Sequence, residues 1–207
     1  MFSKDFTTRD LSCSPPPSRL NYQGPFPFKI SMRLETPNLL VFDDPLALAR
    51  CHVCACPTDI YVPDLRSLFM APSRGLALLQ ALDDACWEAT EARFLSDEPW
   101  AKATFSPAGL ALPRPTLRKE HVLSGLNYPP SQFQLHLQYL LPPLTPYHWG
   151  LHRSGKHFSA GRFFPLQYVY KALTALRDDG QGGVPSCLGM DASELCAAVL
   201  ARTGVRA

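Results

Sequence analysis

The sequence predicts an α+β fold, and three features carry that expectation. Short alternating or apolar runs bounded by turn residues cluster in residues 29–56 and 117–140. One long helical period lies between the two clusters. Two shorter helical patterns follow towards the C-terminus.

At 207 residues, 46% hydrophobic and 18% charged, the chain is long enough for one well-buried core, so one domain with extensions is expected rather than two domains. A net charge of +2 gives no electrostatic case for nucleic acid or an anionic membrane as the main partner. No apolar run approaches the length of a membrane span. The 21 prolines, about twice the usual share, imply many turn and loop segments. Seven cysteines, clustered at Cys51, Cys54 and Cys56 with the others scattered, form no evenly spaced disulfide framework. Reduced thiols in an intracellular compartment, the cytoplasm first, are therefore expected. Met1 to Arg9 carries Lys4, Asp5 and Arg9 with no apolar segment behind it, which does not fit a secretory signal. Its Ser, Thr and Arg content leaves a mitochondrial or other organelle transit peptide as the alternative.

Residues 1–28 are rich in Ser, Pro and Phe without a sustained period and read as an extended arm. Lys29 to Thr36 alternates around Ile30, Met32 and Leu34, a short strand, and Asn38 to Phe42 is a second, ended by Asp43-Asp44-Pro45. Cys51 to Cys56, closed by Pro57, is a third. Its one face carries His52, Cys54 and Cys56, which invites a zinc reading. Structural zinc sites take paired ligands from tight turns with two-residue gaps, so buried thiols in a packed strand are expected instead. No metal or cofactor requirement is identified. From a Ser73 cap to about Leu95, Leu78, Leu79, Leu82, Cys86 and Ala89 recur at helical steps, with Asp83, Asp84, Glu88 and Glu91 as a solvated face. Four prolines make residues 96–116 a connection, and Leu117 to Leu126 resumes strand character.

The next strand is the one on which chemistry can be read. In Gln134-Leu135-His136-Leu137-Gln138-Tyr139-Leu140, period two places Gln134, His136 and Gln138 on one face and Leu135, Leu137 and Tyr139 on the other. Gln132 extends the polar row. One face can pack on a core while the other presents an imidazole between two amides; a half-solvated structural strand would look the same. Pro142 to Pro146 is expected to stop regular structure, leaving His148, His152 and His157 in a loop-rich segment with Arg153, Lys156 and Arg162. Helices are expected over Pro165–Arg177 and Asp191–Arg202, joined by a Gly-rich link at Gly180–Gly183.

The run from Phe42 through Asp44-Pro45 to His52 and Pro57, then Asp64 to Leu68 and the long helix, resembles the first half of a histidine-triad domain. The second half resembles that family's active-site block: Asn127 near a strand end, and Ser131 five residues before the central His136. The resemblance covers roughly residues 30–141. The family's His-apolar-His-apolar-His pattern stands here with Gln134 and Gln138 at the outer positions, and the Gly-rich phosphate loop is shortened to Tyr128-Pro129-Pro130. The Gln138 ending is similar to that of galactose-1-phosphate uridylyltransferases and dinucleoside-polyphosphate phosphorylases.

The resemblance implies an antiparallel sheet with the 73–95 helix on one face, a domain over residues 29–145 and a helical C-terminal extension over 146–207. It implies a nucleotide or nucleotide-sugar as substrate and a homodimer as assembly. His136 would be the nucleophile that accepts a nucleotidyl group, with Gln134 and Gln138 donating to the phosphate. Asn127, Ser131 and Gln132 would add contacts, Asp44 would accept from ribose hydroxyls, and His52 would stand near the site or serve structure alone. Replacing the third His by Gln removes a group that protonates a leaving group and activates water. Transfer or phosphorolysis is therefore expected ahead of hydrolysis. His148, in a Tyr-His-Trp cluster, would either supply the missing acid or serve packing. A second reading is a retired domain that binds nucleotide or protein without turnover. A third is an assembly subunit that docks partner proteins through the Pro-Phe arm and the C-terminal extension.

Overall fold

A computed structural model describes residues 30–95, 119–132 and 134–207. The expected N-terminal arm, the 96–116 connection and the first residues of the strand expected from Leu117 lie outside them. Among the described residues six strands form one antiparallel sheet: β1 (Met32–Glu35), β2 (Leu39–Asp43), β3 (Ala49–Pro57), β4 (Leu123–Asn127), β5 (Leu137–Leu144) and β6 (Phe163–Pro165). They lie in the order β1-β2-β3-β5-β4-β6. Among the described residues five α-helices accompany them: α1 (Arg66–Met70), α2 (Pro72–Thr90), α3 (Pro146–Arg153), α4 (Leu166–Asp178) and α5 (Ala192–Thr203). The protein is thus α+β. Among the described residues no helix is long and apolar enough to cross a membrane.

Strand β3 is buried along both faces, which explains why its sequence is almost continuously apolar. Cys51, Val53 and Ala55 join the main core with Leu79, Leu82 and Cys86 of α2. Cys54 and Cys56 point the other way and pack with Leu40, Phe42, Met32 and Ile30 in a smaller cluster. The β5 alternation divides in the same sense: Leu135, Leu137, Tyr139 and Leu141 enter the main core, while Gln134, His136 and Gln138 are buried on the opposite side. The polar row of the central strand is therefore not a solvated face.

Several expectations are corrected. Ser73 does not cap α2; Ala71 holds that position and Pro72 opens the helix, where its fixed φ suits the first turn. The helix loosens into a π-turn over Glu91–Leu95, next to Thr90, whose hydroxyl donates back to the Cys86 carbonyl at 2.8 Å. The acidic row of α2 is more than a solvated face, since Asp83 and Asp84 both clamp Lys119 at 2.7 Å. Strand β4 starts at Leu123, later than expected, after a 3-10 turn over Lys119–His121. Pro142 and Pro143 do not end β5. Pairing with β4 stops at Leu140, and the β3 register shifts between Cys51–Leu141 and Ala49–Leu144. Both prolines therefore sit at a bulge and a free edge, where no amide hydrogen is missed. Residues 146–153, expected as loop, form α3 behind Pro146.

Residues 163–203 share the main core with the sheet. β6 pairs with β4, and Leu166, Val169, Ala172, Leu173 and Leu176 of α4 pack beside α2. Leu195 and Val199 of α5 close that side. Asp191 caps α5 by accepting from the Ser193 and Glu194 amides, while Glu194 returns to the Asp191 amide at 2.8 Å. The Gly180–Gly183 link is fixed against α1: the Val184 amide donates to the Phe69 carbonyl at 2.8 Å. A Cβ on Gly183 would sit 2.0 Å from the Met70 carbonyl oxygen. Gly125 has a similar role in the sheet, since a Cβ there would meet the Phe163 ring and the Phe164 carbonyl, each at 2.5 Å. Its missing side chain lets Phe163 lie across β4.

One core feature is energetically costly. The Tyr139 hydroxyl is buried and has no hydrogen-bond partner among the described residues. Leaving such a group unsatisfied costs more than its removal. Tyr139→Phe is expected to stabilise the protein by about 1 kcal/mol, a rise in Tm of about 2–4 °C. A fall in Tm would show that the hydroxyl has a partner in the native protein.

Candidate active site

The β2–β3 turn, the end of β4, the 131–138 segment and the approach to β6 meet at one cavity of about 230 Å3. Asp44, His52, Asn127, Ser131, Gln132 and Gln138 line it. Gln134 and His136, the other two residues expected at the site, do not. Pro45, Leu46, Leu48, His157, Phe158 and Phe163 complete the wall and were not singled out as site residues by sequence. His157 was visible as one of three loop histidines, but its placement depends on α3. Phe163 carried no signal, because it reaches the cavity only across Gly125.

His136 lies directly behind the wall, 1% exposed. Its Nδ1 is 3.0 Å from the Gln134 carbonyl oxygen, which can only accept, so Nδ1 carries the ring hydrogen. Nε2 of the neutral ring is then an acceptor, and it takes the hydrogen of the Ser131 hydroxyl at 3.1 Å. The ring is thereby held in the tautomer that leaves Nε2 basic and aimed at Ser131, a residue of the cavity wall. Gln134 is not a free phosphate donor. Its side-chain amide donates to the Pro57 carbonyl at 2.8 Å and ties the 131–138 segment to the end of β3. A carboxamide buried this far is held by that bond and is unavailable to a ligand.

His52 is paired differently. The Leu48 amide donates to its Nδ1 at 3.0 Å, so Nε2 bears the hydrogen and donates to Gln138 Oε1. With Oε1 committed, the donor end of the Gln138 amide remains for a bound anion. Asp44 accepts from the Leu46 amide at 2.7 Å through Oδ1 and from the Cys54 thiol at 3.1 Å through Oδ2. Its Oδ2 also lies 3.5 Å from His52 Nε2. The turn acid thus organises the pocket floor whatever else it contacts.

Asp44, His52 and Cys54 place one ligand atom each within 4.8 Å of one another, the spacing of a metal site. The histidine tautomer does not fit. A metal-bound imidazole offers one lone pair and donates from its other nitrogen. Here the other nitrogen already accepts an amide hydrogen, so Nε2 has no lone pair to give.

Burial, the dominant cause, holds both His52 and His136 below the ordinary imidazole value of 6.5. The unfolded chain binds a proton near pH 6.5 where the folded state resists it, so stability rises with pH in that window. The contribution is complete above about pH 6.5 and is lost as pH falls towards the lowered folded-state values. Each ring contributes a slope of up to about 1.4 kcal/mol per pH unit. Denaturant unfolding is expected to show a marked stability loss between pH 7 and pH 5.5. An unchanged midpoint across that range would mean that neither ring is held neutral.

Above the cavity, His148 Nδ1 and His157 Nε2 share a hydrogen at 2.8 Å. Phe158 packs edge-on to Phe163 at 4.8 Å between ring centres and has a φ of 55°, the left-handed region that a bulky side chain rarely adopts. Such strain concentrates where neighbouring structure must present a side chain in a set direction. No protein-family model matches the chain, and a search of curated proteins finds no match.

Proposed function

We propose that this is a histidine-triad-like domain that performs phosphoanhydride chemistry on a nucleotide or nucleotide-sugar through a nucleotidyl-histidine at His136. The observation that carries the reading is the fixed tautomer: a carbonyl pins Nδ1–H, and the basic Nε2 faces the cavity wall through one exposed serine hydroxyl. Rotation of the Ser131 side chain, a picosecond-to-nanosecond event at an exposed residue, frees the Nε2 lone pair. The Nε2 lone pair then attacks the α-phosphorus and the bond to the leaving oxygen breaks, with its electron pair departing on that oxygen. The positive charge gained by the ring is met by the Gln134 carbonyl at Nδ1–H. Gln138, Asn127 and the displaced Ser131 hydroxyl donate to the phosphoryl oxygens. Leu46, Leu48 and Pro45 form the apolar wall against which a base or sugar packs.

Gln138 cannot protonate a leaving group. Attack by a phosphate-bearing acceptor is therefore favoured over attack by water, and the cavity-lining His157 is a titratable donor for the departing oxygen. The second reading, a retired domain that binds a nucleotide without turnover, draws on the burial of His136 and the structural use of Gln134.

Intact-protein mass spectrometry after incubation with dinucleoside polyphosphates, nucleotide-sugars and nucleoside phosphoramidates separates the two. A nucleotide-sized adduct that discharges on adding phosphate is the expected result. Saturable nucleotide binding with neither adduct nor turnover supports the retired domain.

A further inference from the structure

A second cavity, of about 500 Å3, opens beside the first and shares Asn127, Ser131, His157, Phe158 and Phe163 with it. Its remaining polar lining is Lys156, Ser159 and Arg162, and no carboxylate lines it. Lys156 and Arg162 make no ion pair among the described residues. Arg33, Arg66, Lys119 and Arg202 are each matched to an aspartate, whereas Arg50, Arg74, Arg153, Lys171 and Arg206 share the unmatched state; what sets Lys156 and Arg162 apart is that they line one cavity together. In a chain with 20 basic and 18 acidic side chains, two unmatched cations around an acid-free cavity are a local concentration of positive charge.

The backbone that presents them is anchored at both ends. The Lys156 amide donates to Leu151 of α3 at 2.9 Å, and the Arg162 carbonyl accepts from the Tyr128 amide at 2.8 Å beside β4. The Arg162 amide also closes a turn onto the Ser159 carbonyl at 3.1 Å. Both side chains are exposed, and they line the same cavity as Ser131, the residue bonded to His136 Nε2, from backbone that is anchored at both ends.

We propose that this cavity is a subsite for a chain of phosphates extending beyond the phosphorus at His136, with Lys156 and Arg162 as its ligands. The inference rests on the placement of the α-phosphate at His136 and narrows the substrate class. Each added phosphate brings negative charge and acceptor oxygens, which a lysine meets as a point charge and an arginine as a two-pronged donor. A nucleotide-sugar would put neutral hydroxyls beside two unmatched cations. A nucleoside polyphosphate or dinucleoside polyphosphate matches both ends of the site.

The test is calorimetric titration of the full chain with a nucleoside mono-, di- and triphosphate and with inorganic tripolyphosphate. Arg162→Gln and the Lys156→Ala/Arg162→Gln pair would be titrated alongside, with thermal unfolding confirming that both fold. The wild type is expected to gain at least about tenfold in affinity from mono- to triphosphate. The double variant is expected to lose about 10- to 100-fold for triphosphate and tripolyphosphate, with the monophosphate changed less than about twofold. Equal losses for mono- and triphosphate, no gain with chain length, or no phosphate binding at all would overturn the subsite. Tripolyphosphate binding that depends on Arg162, in a protein that forms no His136 adduct, would uphold the subsite and sink the covalent reading. An adduct formed without any dependence on phosphate number would do the reverse.

Discussion

His136→Ala is expected to abolish the nucleotide adduct and to lower turnover by at least about a thousandfold, the scale on which losing a covalent nucleophile is felt. The expectation follows from geometry more than from residue type. His136 has a defined tautomer, and its basic nitrogen is hydrogen-bonded to the hydroxyl of Ser131, a residue of the cavity wall. The variant also leaves a void and deprives Ser131 of its acceptor, so some loss of stability accompanies the loss of activity. Ser131→Ala distinguishes the two effects. It removes the same hydrogen bond from the other side but leaves Nε2 in place, and adduct formation is expected to persist. If both variants lose the adduct together while remaining folded, Ser131 is indispensable to the chemistry and not one phosphoryl donor among several. If neither does, the nucleophile lies elsewhere.

The largest effect on stability is expected at Gly183. A Cβ there would lie 2.0 Å from the Met70 carbonyl oxygen, 2.3 Å from its carbon and 2.5 Å from the Phe69 oxygen. These are backbone atoms at the end of α1, and they cannot swing aside as a side chain could. Gly183→Ala is expected to cost at least about 3 kcal/mol, read as a fall in denaturation midpoint, and to loosen the Val184–Phe69 hydrogen bond. Its neighbour provides the control. Gly182 has a φ of +79° and nothing within 4 Å of the place a methyl group would take, so Gly182→Ala costs only the backbone term, about 1 kcal/mol. Equal losses at the two positions would show that the link is not held against α1.

Much of this architecture was legible in the sequence, because its cause is local. The alternation at 134–139 sorts side chains between two faces, and the structure sorts them the same way. The α2 period predicts that Leu78, Leu79, Leu82, Cys86 and Ala89 face the core; the last four are buried and Leu78 is half-buried against it. The helix expected over Asp191–Arg202 is present as Ala192–Thr203, with Asp191 as its cap. What was not legible depends on partners distant in the chain. The prolines of β5 are harmless only because β4 stops pairing at Leu140 and β3 bulges opposite them. The Gln134 amide looks like a ligand donor until Pro57 is found to occupy it. The cavity takes His157, Phe158 and Phe163 from a segment whose path depends on β6 joining the sheet beyond β4. Sequence alternation placed His136 on the site face, but could not show that it lies one side chain behind the cavity.

The strand order has a consequence for how the chain is made. β3 is paired on one side by β2, its immediate predecessor, but on the other by β5. Residues 58 to 136 must be synthesised before that second partner exists. At a translation rate of about 5–20 residues per second, this interval lasts roughly 4–16 s. During that time Ala49–Pro57, apolar and rich in thiols, presents an open hydrogen-bonding edge. The α2 helix forms from local contacts within the interval and can shield the inner face, but it cannot cover the edge. The nascent protein therefore has a vulnerable period set by topology, which ends when β5 emerges and docks. The strand that makes the finished sheet continuous is the one that exposes the growing chain to aggregation.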